Sequence, residues 1–212
     1  MNINLKELEK QFHADGYRLG MQAVEAGFTQ EALQKAVQQL HQVVDEVIEA
    51  FYSLAERNNQ VPACSKGCHW CCHQPVYAMS YELDFLNQYL KENFSTATLN
   101  EIAARSAEKR KKLAVLTGDS LLYSKVPCPL LENGACMAYQ ARPVACRIYL
   151  SSNVASCLQF YHEPAREDSI PALLQFPLRM GKMLNEGFKA ALKAHGMNAD
   201  EYRIDEKLNT VN

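Results

Sequence analysis

Cys64-Ser-Lys-Gly-Cys68-His-Trp-Cys71-Cys72-His73 holds four of the chain's eight cysteines in nine residues, with two histidines set among them. The other four, Cys128, Cys136, Cys146 and Cys157, fall in a second window of thirty residues. Sulfur gathered this densely serves disulfides, metal ligation or thiol redox chemistry. The choice decides how the middle of the chain folds, because a bound metal can hold a segment that has too little apolar surface to hold itself.

The rest of the composition narrows that choice. A chain of 212 residues, 48% hydrophobic and 22% charged, can bury a real core and suits one domain or a core domain with an extension. A formal charge of −2 argues against general nucleic-acid binding, which needs a basic face. One Trp, ten Tyr and eight Phe form no aromatic-basic interleave of the kind that stacks on bases. No window approaches the about 18 consecutive apolar residues of a membrane span. The first ten residues are amphipathic and charged, without the apolar stretch of an export signal. The expectation is a cytoplasmic protein with no nucleic-acid or membrane partner. In that reducing compartment eight cysteines point to metal rather than to a disulfide framework.

Helix is expected ahead of the cysteines. Asn4 caps a first helix whose Leu5, Leu8 and Phe12 recur at helical spacing; Asp15-Gly16 weakens its middle and Gly27 ends it. Thr29 caps a second. In it Leu33, Val37, Leu40, Val44, Val47, Phe51 and Leu54 follow at alternating steps of four and three, the a/d seam of a packed helix. Such a seam serves either a neighbour in the same bundle or a second copy of the chain. Residues 1–60 therefore read as an N-terminal helical pair, with homodimerisation as its alternative use.

Arg57-Asn58-Asn59-Gln60-Val61-Pro62 breaks the second helix, and residues 61–160 are expected to form a cysteine-cluster core that includes two helices. Ser80 offers a cap for one, carrying Leu83, Leu86, Tyr89 and Leu90. Thr98 with Glu101 is a capping-box signal for the other, which runs through Ile102, Ala103 and Leu113 to about Leu116, ahead of Gly118. Its Lys109-Arg110-Lys111-Lys112 reads as a solvated face, cationic toward the C-terminus as the helix dipole favours. From Pro127 to Cys157 the turn signals Pro129, Asn133-Gly134 and Pro143 leave only short pieces between them. Residues 161–212 return to helix and pack on the core: Asp168 or Ser169 caps a run interrupted at Pro177 and carried on by Leu178, Met183, Leu184, Phe188 and Leu192 to Gly196. The polar stretch from 197 onward reads as peripheral. The fold class is mainly α, with a loop-rich central cysteine region.

The cysteine spacing leaves the metal open. Three closely spaced thiolates of the group Cys64, Cys68, Cys71 and Cys72 can close round one centre at little loop entropy, while adjacent Cys71 and Cys72 rarely converge on one ion. Cys128, Cys136, Cys146 and Cys157 are separated by seven, nine and ten residues, which makes none of the paired knuckles of many zinc sites. Eight thiolates exceed one tetrahedral zinc. Two zinc ions, one iron–sulfur cluster with spare thiols, or a cluster bridging both halves all satisfy the count. Clustered cysteines with a remote Cys128-Pro129 are similar to the bacterial ferredoxin pattern, which tilts the choice toward iron–sulfur, with zinc as the alternative. Cys64-x3-Cys68-x2-Cys71 also resembles the radical S-adenosylmethionine signature. Those enzymes place the triad after the first strand of a barrel, whereas here it follows a long helix. His69 and His73 are expected beside the ligands rather than among them. Arg142 and Arg147 are placed to offset thiolate charge and tune the centre.

Taken together, Cys64-x3-Cys68-x2-Cys71-Cys72 and Cys128-Pro-Leu-Leu-Glu-Asn-Gly-x-Cys136-x-x-Tyr139-x-x-Arg142-Pro143-x-x-Cys146-Arg147-x-Tyr149 resemble the bacterial cysteine-cluster (CxxCxxCC) family of zinc- or iron-chelating domain proteins. The resemblance covers roughly residues 61–160, and the first gap here is three residues where the family name has two. It implies a metal ion or cluster held by the eight cysteines in a structural, carrier or electron-transfer role. One branch is similar to flagellin lysine N-methylases, which implies instead an S-adenosylmethionine-dependent enzyme acting on protein lysines. A zinc-stabilised module presenting its heptad helix to a protein partner is the third alternative.

Overall fold

The computed structural model describes residues 4–57, 62–65 and 67–208. The expected break at Asn58–Val61 lies outside them. Nine α-helices and four short strands occupy the described residues, so the chain is mainly helical as its periodicity predicts. Among those residues no helix is long and apolar enough to cross a membrane.

Helices α1 (Leu5–Glu25) and α2 (Gln30–Arg57) start where their caps predict. Asn4 Oδ1 accepts the Lys6 N–H at 3.2 Å, and Thr29 Oγ1 accepts that of Ala32 at 3.1 Å. The turn between them bends at Gly27 and Phe28, both at positive φ. Gly16 does not weaken α1, which runs through it unbroken. Gly16 and Gly20 instead let α1 lie backbone to backbone on α8 (Gln175–Ala194). A Cβ at Gly16 would stand 1.9 Å from the Leu184 carbonyl oxygen, and one at Gly187 would stand 1.9 Å from that of His13. Those obstacles are main chain and cannot swing aside. Glycine to alanine in a helix gains about 0.5–1 kcal/mol where nothing is near. Here Gly16→Ala and Gly187→Ala are each expected to lose about 1–3 kcal/mol as the helices are forced apart. A shifted urea midpoint measures it, and an unchanged or raised midpoint would refute the close packing.

The middle of the α2 seam is filled from within the chain, while Leu54 at its end is 57% exposed. Val37, Leu40 and Val44 are buried with Leu184, Phe188 and Leu192 of α8, with Tyr81, and with Val144 and Ile148. Further along α2, Phe51 stacks on Phe176 at 5.6 Å between ring centres. α8 begins at Gln175, later than expected, and takes Pro177 into its first turn, where a missing N–H breaks no helical hydrogen bond. It ends two residues before Gly196, which turns at a φ of 83°.

A second core lies on the other side of α3 (Ser80–Asn93). Leu83, Leu86 and Leu90 meet Leu99 and Ile102 of α4 (Thr96–Leu113), together with Leu130, Ala138 and Ala141. α4 is capped by Ser95, whose Oγ accepts the Thr98 N–H at 3.3 Å, rather than by Thr98. Gly118 opens a short α5 (Gly118–Leu122). The stretch from 197 is not peripheral. Strand β4 (Glu201–Arg203) pairs antiparallel with β1 (Tyr77–Met79), Ala78 facing Tyr202. Beyond it Ile204, Asp205 and Leu208 are buried in or beside the second core, with α9 (Ile204–Lys207) closing it. Polar composition hid this, because a two-stranded pairing satisfies the main chain with few apolar side chains.

One buried carboxylate joins the two cores. Glu82, fully inaccessible, accepts the N–H of Val144 at 2.6 Å and of Met79 at 3.2 Å, and the amide NH2 of Asn185 at 3.2 Å. His41 Nε2 faces the same carboxylate at 3.4 Å. Burial pushes the Glu82 carboxyl up, but His41 and the two main-chain donors outweigh it and hold it below the usual range. Burial likewise pulls His41 down, against the pull of the Glu82 carboxylate, which favours the charged ring. Nothing in the spacing of these residues announced the pairing.

Candidate metal centre

The cysteine segments are carried by short, punctuated structure. Ser65 O accepts the Cys68 N–H at 3.0 Å in a turn that passes through Gly67 at a φ of 97°, which accommodates the extra residue of the first gap. A 3-10 turn over Trp70–His73 then holds Cys71 and Cys72. In the second segment β2 (Leu131–Glu132) and β3 (Ala135–Cys136) form a hairpin whose Asn133 and Gly134 both have positive φ, the two-residue turn that Asn-Gly favours. α6 (Val144–Ile148) carries Cys146, and α7 (Val154–His162), capped by Asn153, carries Cys157. The two segments meet directly: Cys128 N–H donates to Cys72 O at 2.7 Å.

All eight cysteines are free thiols and partly buried. Cys68, Cys71, Cys72, Cys128, Cys136 and Cys146 line one cavity of about 190 Å³, whose remaining wall is largely apolar, with Pro75, Val76, Leu86, Leu130 and Ile204 in it. Cys64 and Cys157 lie outside that lining. Cys64 hydrogen-bonds the Cys68 sulfur, and Cys157 lies within electrostatic reach of both Cys64 and Cys68, so the two stand just beyond it. Cys64 Sγ accepts the Ser151 N–H at 3.1 Å. Cys71 is the thiol within electrostatic reach of both groups, Cys64 and Cys68 on one side and Cys136 and Cys146 on the other. Among the described residues no three His, Cys, Asp or Glu side chains are gathered as a single ion would require. The sulfurs stand around a space rather than around a point.

Without metal, burial favours the protonated form of Cys64, Cys68, Cys71, Cys128, Cys136 and Cys146. Burial pushes Cys128 up to about 11 and Cys146 well above the ordinary thiol range. At Cys71 the hydrogen bond with Cys72 comes first and burial second, in the same direction. Four sulfurs are nevertheless prepared for negative charge, Cys64 through the Ser151 N–H already named and three others. Cys68, Cys128 and Cys136 each accept the N–H of the residue two further on: Trp70, Leu130 and Ala138. Metal entry must displace protons from this set, and main-chain donors are already aimed at the thiolates that result.

The flanking residues divide. Arg142 lines the cavity, lies 3.6 Å over the Tyr139 ring, and places its charge on Cys71, Cys136 and Cys146. Arg147 turns away. Buried, it pairs with Asp45 of α2 and donates to the carbonyls of Arg142, at 2.7 Å, and Gln140, so it braces the loop that carries Arg142. His69 and His73 face neither the cavity nor each other's nitrogens. Their rings meet in a T-shape at 5.5 Å; His69 also packs on Trp70, and His73 and Trp70 pack on Tyr161 of α7. Sequence reasoning missed Tyr52 at the end of α2, whose hydroxyl burial pushes up to about 12 beside Cys64 and Tyr139. It also missed Tyr149, which lines the cavity and hydrogen-bonds Gln74 at 3.3 Å. Tyr139 and Tyr149 stand inside the quoted motif, which is the signal that could have found them.

The helical fold thus gathers thiols from two distant segments of the sequence around one cavity. The profile of the CxxCxxCC family, described as "Putative zinc- or iron-chelating domain", matches residues 63–167. Residues 63–167, which hold all eight cysteines, are a domain of this family. No curated protein and no solved structure matches the chain.

Proposed function

We propose that this chain is an iron–sulfur protein whose cluster is held in the cavity by Cys68, Cys71, Cys72, Cys128, Cys136 and Cys146, with Cys64 and Cys157 completing the sulfur set behind Cys68. One observation carries the choice: six thiols bound a single space of about 190 Å³. A tetrahedral zinc–thiolate site brings four sulfurs to about 2.3 Å from one ion and leaves no void between them. A water takes up about 30 Å³ of liquid, so this space exceeds any lone ion and suits a group of several atoms. The donor set fits as well, since soft thiolates are the ligands that iron–sulfur clusters take. When bound, such a cluster would supply one-electron exchange. The chain's own contribution is to surround it with apolar walls, to aim N–H groups at its sulfurs, and to set Arg142 against its negative charge. An electron-transfer or carrier role follows from those features more directly than catalysis does.

Anaerobic purification tests this, with iron, zinc and acid-labile sulfide quantified and the visible spectrum recorded. Iron and sulfide in matching amounts with broad sulfur-to-iron absorption is the expected result. A colourless protein with stoichiometric zinc and no sulfide would replace the cluster by zinc held for structure.

A further inference from the structure

Lys109 sits where a lysine should not. On α4 the buried positions are Leu99, Ile102, Ser106, Lys109 and Leu113, one stripe at three- and four-residue steps, and Lys109 is only 4% exposed within it. Lysine is almost never buried so fully without partners. Its neighbours Arg110, Lys111 and Lys112 behave as a solvated run should, while Lys109 points inward. Its ammonium donates to Gln74 O at 3.2 Å and to Val126 O at 2.9 Å. Gln74 lies two residues after Cys72, and Val126 two residues before Cys128. Cys128 N–H closes the same gap from the other side, donating to Cys72 O at 2.7 Å. The ammonium also lies within electrostatic reach of Cys72 and Cys128 themselves, with Asp205 behind it.

We infer that Lys109 is the positioning residue of the metal centre: it staples the first cysteine segment to the second and supplies the cation that Cys72 and Cys128 face when they are thiolates. This rests on the cavity being the metal site. Arg142 covers the thiols on one face, Cys71, Cys136 and Cys146. Lys109 reaches two of the remaining three lining thiols, Cys72 and Cys128. Two cations on different elements thus share the charge of a sulfur-rich site, and neither is a ligand. An ammonium with three donors can hold two carbonyls and still face sulfur, which a neutral side chain of the same length cannot do.

The test uses the full-length, metal-free protein reloaded with cobalt(II), whose thiolate-to-cobalt absorption reports the charge around the sulfurs. Lys109→Met removes both the staple and the charge, Lys109→Gln keeps a donor without the charge, and Lys109→Arg keeps both. Lys109→Met is expected to bind cobalt roughly 10- to 100-fold more weakly, the range typical of outer contacts to metal ligands. Its charge-transfer band should move to lower energy, because thiolates without a nearby cation give up electrons more easily. Lys109→Gln should show the band shift with a smaller loss of affinity, and Lys109→Arg should restore both. A folding defect alone would lower occupancy without moving the band. If Lys109→Met fails to fold, Lys109→Gln decides: an unshifted band there overturns the charge role. Unchanged affinity and band in Lys109→Met overturn the inference outright. A wild-type protein that gives no thiolate–cobalt band and, reconstituted anaerobically with iron and sulfide, takes up no visible-absorbing cluster overturns the metal-centre reading itself, an outcome visible before any variant is made.

Discussion

Glu82→Ala is expected to lower stability by about 3–5 kcal/mol, the loss typical of breaking a buried charged contact. Four donors converge on that carboxylate, from Val144, Met79, Asn185 and His41. Each would be left buried without an acceptor, at about 1–3 kcal/mol apiece before water enters the vacated space. Against a total of about 5–15 kcal/mol for a folded domain, the variant would sit near the edge of folding. Glu82→Gln restores one acceptor but turns an NH2 toward groups that are donors too, so a smaller loss is expected. The same carboxylate sets an acid limit. Its folded pKa is held below its ordinary value of 4.5, so its stabilisation is fully present above that value. It is lost as pH falls through the lowered pKa. Urea midpoints from pH 7 downward should therefore drop more steeply below about 4.5 in the wild type than in Glu82→Gln. Parallel pH profiles would show that Glu82 carries no such burden. Because the Val144 N–H opens the helix that carries Cys146, metal occupancy should fall along with stability.

Cys71→Ser is the substitution expected to damage the centre most. Cys71 lines the cavity and is within reach of thiols from both segments, whereas Cys64 lies outside the lining. A serine hydroxyl is a hard, protonated donor that soft metals take poorly. Metal content should fall to a small fraction of the wild type, and residues 61–160 should become the first target of limited proteolysis, since the bound group there stands in for a core. Cys64→Ser should keep more of the metal. Elemental analysis of the two variants side by side is the measurement. A Cys71→Ser protein with its full metal complement would remove this cavity as the site.

Much of this was legible in the residues. Asn4 and Thr29 cap the helices they were expected to cap, because a short polar side chain ahead of a periodic run has few other uses. Asn133-Gly134 makes its turn for the same local reason. The two cysteine segments meet as their combined motif implies. What the sequence hid depends on partners far along the chain. Gly16 looked like a weak point in α1 because only the approach of Leu184 shows why a side chain is excluded there. Glu82 and His41 are forty-one residues apart and follow no common pattern. Lys109 is a middle case. It occupies a core position of its own helix, but three neighbouring cations disguised it, since charge composition says nothing about which way one side chain turns.

The wall of the cavity also fixes when it can be built. Cys68 and Ile204 line the same space, and the strand that leads to Ile204 pairs with Tyr77–Met79. A chain emerging from the ribosome presents its first cysteine cluster long before the last wall exists. Metal captured at that stage would meet half a site, open to solvent and without Lys109, Arg142 or Cys146 beside it. If the cavity holds the proposed cluster, its complete wall exists only after the chain has been made through Ile204, so loading would follow the order in which the polypeptide appears.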